Sequence, residues 1–125
     1  MAGITKVFRG QVIVVNLEPI IGSEQAGTAR PCVVVSSNAT NNILKTVIIA
    51  PLTDARHIKR SHIGAVLIQA GEGGLNKNSL LLAYQVRTIS KERIMRILGS
   101  LSRDTMNDIS ESLKDVLYLT PYPDN

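Results

Sequence analysis

The chain has 125 residues, 44% of them hydrophobic and 19% charged. That balance fits one domain with its own core better than a disordered tail or a pair of very small domains. A formal net charge of +4 favours an anionic partner without naming one, and an aromatic content of 3% excludes a broad stacking platform of several rings for single-stranded nucleic acid. Cys32 is the only cysteine, which excludes an internal disulfide and a multi-cysteine zinc site.

The N-terminal stretch Met1-Ala2-Gly3-Ile4-Thr5-Lys6 lacks the apolar centre of a signal peptide, and no apolar run approaches a membrane span, so a soluble cytoplasmic protein is expected. Val12–Leu17 is the first predicted strand, ended by Glu18-Pro19. The run Gly22-Ser23-Glu24-Gln25-Ala26-Gly27-Thr28-Ala29-Arg30-Pro31 then forms a loop longer than a hairpin needs, rich in hydrogen-bonding groups and held by a strand on either side. Such a loop suits binding or catalysis. Cys32–Ser36 is the second strand, in which Cys32 reads as a small buried apolar residue.

Asn38–Asn42 reads as a polar turn, Thr46–Leu52 and Ala65–Ile68 as strands, Gly71-Glu72-Gly73-Gly74 as a break, and Leu80–Val86 as a last long strand. Several strands are apolar almost throughout, which predicts a sheet covered on both faces or closed into a small barrel. Alternation along the last strand puts Gln85 and Arg87 on one face and Tyr84 on the other. Ser90 is placed to cap a short helix containing Ile94, Ile97 and Leu98 and ended by Gly99. A longer amphipathic helix from Arg103 carries Met106, Ile109, Leu113, Val116 and Leu117 on one stripe and stops before Pro121. The expectation is a single domain over 1–125, with its core at about 8–119 and a frayed tail at 120–125.

Several blocks in a fixed order carry a family resemblance. They are Phe8-Arg9-Gly10-Gln11-Val12-Ile13-Val14-Val15-Asn16-Leu17-Glu18-Pro19, Arg30-Pro31-Cys32-Val33-Val34-Val35-Ser36-Ser37-Asn38, Ile48-Ile49-Ala50-Pro51-Leu52-Thr53, Asn78-Ser79-Leu80-Leu81-Leu82, Gln85-Val86-Arg87-Thr88-Ile89, and the stretch from Arg93 to Leu101. Together they resemble the MazF/PemK family of toxin endoribonucleases. The resemblance implies a mainly β fold with accessory helices (α+β), an SH3-like small β-barrel of the MazF/PemK/CcdB type, working as a homodimer. It further implies sequence-specific cleavage of single-stranded RNA without metal or other cofactor, by attack of the 2′-OH to leave a 2′,3′-cyclic phosphate, and neutralisation by a cognate antitoxin with an acidic flexible segment.

The roles carried over by the resemblance are narrow. Arg30 and Thr53 match the family's catalytic arginine and threonine, which suits the chemistry: a guanidinium grips two phosphate oxygens and a strand-end hydroxyl donates to another. Glu24 is a further catalytic candidate, either accepting the 2′-OH proton or orienting Arg30. Ser23, Gln25 and Thr28 in the loop, Ser79, Gln85 and Arg87 near the last strand, and Arg56, His57 and Lys59 in a basic run are candidates for holding substrate.

Three departures from the family pattern stand out: one extra residue between Gly22 and Arg30, Gln11 in place of an acid after Arg-Gly, and Tyr84 in place of an acid before Gln-x-Arg-Thr. Two other classes fit the same fold, a gyrase-binding poison and a non-catalytic RNA-binding relative.

Overall fold

A computed structural model describes residues 3–57 and 64–121. Its strands are β1 (Gln11–Val15), β2 (Arg30–Val34), β3 (Thr46–Asp54), β4 (Ala65–Ile68), β5 (Ser79–Leu82), β6 (Arg87–Ser90) and β7 (Ile94–Ser100); its helices are α1 (Asn38–Ile43) and α2 (Arg103–Leu117). All pairings are antiparallel. The sheet runs in the order β4-β5-β3-β2-β1-β7, and β6 adds to β3 off that path. The spine is β3: Thr46 to Ile49 pair with β6, Ile49 to Pro51 with β2, and Leu52 to Asp54 with β5.

The apolar runs of β1 to β3 have a direct cause. Val33 and Val35 enter one core with Val12, Leu52, Leu81 and Ile109, whereas Cys32 and Val34 enter a second core with Ile13, Val15, Ile49 and Ile94. Both faces of these strands are therefore dry, and alternation with polar residues would bury unpaired polar groups. The stripe of α2 closes the first core, with Ile109 fully buried and Met106, Leu113 and Val116 packed around it. Leu117, expected on the same stripe, is half exposed. Ser102 caps the helix by accepting from Thr105 N.

Hydrogen-bonded pairing does not carry the sheet round into a closed barrel. The ends of the path are β4 and β7. The turn Glu72–Gly74 lies against β7 so closely that a Cβ added at Gly99 would come within 2.8 Å of the Gly73 backbone. Glu72 ties this turn to α2 by accepting from Ser102 N at 2.9 Å. Burial opposes ionisation of the Glu72 carboxyl, but hydrogen bonds from Thr105 and Ser102 outweigh it and lower its pKa.

Three local expectations are corrected. Asn38–Ile43 is a helix and not a turn, because Ser37 caps it by accepting from Thr40 N and the buried Asn41 bonds the Ser36 backbone at 2.9 Å. Ser90 does cap a helical turn, by accepting from Glu92 N, but that 3-10 turn ends at Arg93. Ile94 to Gly99 then pair with β1 as strand β7, since ladder bonds to a buried neighbour outweigh the local helix signals. The stretch from Leu80 to Val86 is not one strand: a 3-10 turn at Ala83–Gln85 separates β5 from β6, so period-two alternation does not order Tyr84, Gln85 and Arg87.

Candidate active site

The long loop spans 16–29, and Arg30 is the first residue of β2. In the β2–β3 register Cys32 faces Pro51, and beyond that pair Arg30 NH1 donates to the carbonyl of Leu52, the residue before Thr53. Arg30 and Thr53 are thereby brought to one place although far apart in the chain. Both line a cleft of about 240 Å³ with Pro31, Leu52, Asp54, Leu75, Asn76, Lys77 and Ser79. The guanidinium of Arg30 is oriented by two backbone carbonyls, its Nε donating to Ala26 O at 2.9 Å and its NH1 to Leu52 O at 3.3 Å. These bonds fix the plane of the fork and leave further N–H groups for an anion.

Glu24 is placed differently from an orienting partner for Arg30. Its Oε1 accepts from Ile21 N at 2.7 Å, and its Oε2 lies 3.9 Å from Arg87 NH1. The latter is an ion pair too long for a hydrogen bond, and Arg87 NH1 is buried with no hydrogen-bond partner. Gln85 holds the same loop, donating from Nε2 to Ser23 O at 3.2 Å and accepting at Oε1 from Gln25 N at 3.3 Å. Ser23, Glu24, Gln25, Gln85 and Arg87 therefore form a clamp beside the cleft, joined to it through Ala26 and Arg30. The buried thiol of Cys32 lies near both guanidiniums; burial pushes it up to about 12, and the Arg30 and Arg87 charges only partly oppose this.

Other predicted residues fall elsewhere. Thr28 is exposed and lines a separate depression with Asn16, Ser90, Glu92, Arg93 and Met95. Ser79 is buried at the cleft wall and donates to Lys77 O at 3.1 Å. Arg56 is exposed, and its charge is engaged by Asp54, with NH2 to Oδ2 at 2.9 Å. His57 ends the 3-10 turn Ala55–His57, and Lys59 lies outside the described residues. Gln11, one of the departures from the family pattern, closes its own turn by accepting from Phe8 N at 2.8 Å.

Asp54, Asn76 and Lys77 are the cleft residues that sequence reasoning missed. Asp54 directly follows Thr53, and Lys77 sits in the polar run Asn76-Lys77-Asn78 before the Ser79 block, so adjacency to named residues was the one signal that could have found them. Hydrogen bonds from Arg56 lower the Asp54 pKa to about 2, with Lys77 at 3.8 Å adding to the effect. Its unfolded value is near 4, so the stability it gives is in place above about pH 4 and is lost only as the pH falls toward 2. Among the described residues, no group of three His, Cys, Asp or Glu side chains is placed to hold a metal, and no described helix is long and apolar enough to cross a membrane.

Gly27 permits the approach of Arg30 to the loop. Its φ is +136°, and a Cβ there would sit 3.3 Å from Arg30 Nε. Gly27→Ala is expected to slow the reaction at this site about tenfold to a hundredfold by displacing the guanidinium. Single-turnover rates beside a circular dichroism check of folding would measure this.

The cleft of this mainly β domain carries hydroxyls and an arginine pre-oriented by backbone carbonyls, which are the donors that a phosphate or similar oxyanion would need. Residues 8–117 match the family described as PemK-like, MazF-like toxin of type II toxin-antitoxin system. The chain is 36% identical over 108 residues to an Endoribonuclease MazF of Staphylococcus epidermidis, covering 86% of this chain and 88% of that protein. A solved endoribonuclease in complex with its cognate antitoxin, from a mycobacterial species, superposes with a TM-score of 0.74 at 27% identity, over 94% of this chain and 99% of that one. MazF from Deinococcus radiodurans, at 23% identity and a TM-score of 0.76, over 90% of this chain and 97% of that one, shares the fold. The chain belongs to the PemK-like, MazF-like toxin family of type II toxin-antitoxin systems. It is a toxin endoribonuclease.

Proposed function

We propose that this toxin cleaves single-stranded RNA at a short recognition sequence by in-line attack of a ribose 2′-OH on the adjacent phosphorus, without a metal ion. The P–O5′ bond breaks as the P–O2′ bond forms, the proton lost by the 2′-OH is balanced by one taken up by the departing 5′-oxygen, and a 2′,3′-cyclic phosphate remains. The observation that carries the reading is the presence of Arg30 and Thr53 in one cleft. The Arg30 fork stabilises charge building on the phosphoryl oxygens, and its prior fixation by Ala26 O and Leu52 O removes the need to reorganise during reaction. Thr53 donates a hydroxyl to the same phosphate, and Lys77 supplies a second cation at the rim. The loop chain 22–29 lies beside this cleft and holds the substrate strand in line.

Within the same reading the toxin acts as a homodimer and is neutralised by a cognate antitoxin whose acidic flexible segment occupies the cationic cleft, as supported by the mycobacterial relative solved with its antitoxin. A mixed-sequence RNA incubated with the protein in EDTA tests the proposal. Discrete cuts with cyclic-phosphate ends are expected, and intact RNA across many sequence contexts would overturn it.

Asp54 works against an anionic substrate because it engages Arg56 and lies 3.8 Å from Lys77. Asp54→Asn is expected to tighten RNA binding several-fold at moderate salt and to steepen the log–log salt dependence by about 0.7, the share of one released cation on a single strand. Fluorescence anisotropy titrations at several salt concentrations give both quantities. With the Asp54 pKa at about 2, this effect should stay constant between about pH 5 and 8.

A further inference from the structure

We infer that Gln85 is a positioning residue that holds Arg30 in place through the loop, and not a reader of RNA bases. The loop runs 16–29 without a strand partner for residues 23–25, so their peptide groups have no ladder to fix them. The Gln85 amide stands in for that missing partner. It donates to Ser23 O and accepts from Gln25 N, the two groups that flank Glu24, in the manner of one peptide unit of a neighbouring strand.

The support beneath Gln85 is rigid. It ends the 3-10 turn Ala83–Gln85, closed by Val86 N donating to Ala83 O at 3.2 Å, and Ala83 is fully buried. From Gln25 the link to the reacting centre is one residue long, since Ala26 O accepts from Arg30 Nε at 2.9 Å. Arg87 adds a looser hold through Glu24, between the two bonded peptides. The two loop bonds take one Nε2 hydrogen and one Oε1 lone pair and fix the plane of the amide. Its sequence position beside the cleft strands is equally explained by holding the loop.

This inference rests on the proposed RNA cleavage, and its test separates the two. Wild type, Gln85→Ala and Gln85→Glu are compared in steady-state cleavage, in the sequences flanking the mapped cuts, and in hydrogen exchange of the amides of residues 23–26. Gln85→Ala is expected to lower kcat about tenfold to a hundredfold with KM and the cut-sequence profile unchanged, and to speed exchange at Gln25. Gln85→Glu keeps the acceptor for Gln25 N and loses the donor to Ser23 O, so it should fall between; it also decides the matter if the alanine variant does not fold. A changed cut profile, a raised KM with kcat retained, or unaltered kcat and exchange would overturn the inference. If the wild type cleaves nothing, the cleavage reading fails while exchange at Gln25 still decides whether Gln85 holds the loop.

Discussion

Arg30→Ala is expected to reduce RNA cleavage by about 10³-fold or more while leaving the fold intact. The size reflects the charge that Arg30 meets: removing one preorganised donor from a developing oxyanion costs about 10²–10³ in rate, and an arginine serving a phosphoryl group about 10³–10⁵. The fold should survive because Arg30 is only partly buried, at the first position of β2, and its side chain bonds two carbonyls that solvent can then reach. Binding should weaken far less than the rate, since Lys77 remains and one phosphate contact is worth about one step in the salt slope. Single-turnover cleavage and RNA titration of the same preparation would measure the split. Comparable losses in both would mean that Arg30 anchors the RNA without serving the transition state.

Gly74→Ala is expected to be the most damaging small change to stability, at about 3 kcal/mol or more. Two costs combine. Gly74 has a φ of +78°, where an added Cβ is strained by about 1–2 kcal/mol. That Cβ would also lie 2.5 Å from the Leu98 carbonyl oxygen, a backbone atom of β7 that cannot rotate aside. The turn cannot retreat cheaply, because Glu72 is bonded to the start of α2 and Gly73 abuts Val12 and Leu101. Gly71→Ala separates the two costs: its φ is +96°, but a Cβ there meets nothing within 4 Å. Only the conformational cost remains, about 1 kcal/mol. Thermal unfolding of both variants at one protein concentration should show Gly74→Ala melting lower by about 10 °C and Gly71→Ala by a few degrees. Equal shifts would show that the turn moves away from β7 freely.

How much was legible in the residues depended on the range of the deciding interaction. The cap at Ser102 and the stripe Met106, Ile109, Leu113 and Val116 are local, and α2 begins at Arg103 as expected. The apolar runs of β1, β2 and β3 announced burial on both faces, and two cores lie there. Ser90 announced a helix start equally well, yet the chain beyond Arg93 enters β7, because β1 offers a ladder that no local signal can report. In the site, Arg30 and Thr53 were named from the resemblance, and both line one cleft. Lys77 and Asp54 were not named, since a lysine in a polar run and an acid after Thr53 read as solvated charges until the cleft is seen.

By itself the sequence determined the element types with strong periodicity, the β-rich class with a C-terminal helix, and the residues able to grip a phosphate, because periodicity, caps and side-chain chemistry are properties of short stretches. Only the tertiary structure decided what those residues touch. It gave Gln85 to the loop backbone, Glu24 to Ile21 and Arg87, and Arg56 to Asp54, and it set the Glu72–Gly74 turn against β7. The Gln85 bonds, the Glu24–Arg87 ion pair and the approach of the turn to β7 join segments tens of positions apart, whose meeting depends on strand register and on the path of loops. Glu24–Ile21 and Arg56–Asp54, by contrast, are contacts within one loop or turn whose geometry the fold selects.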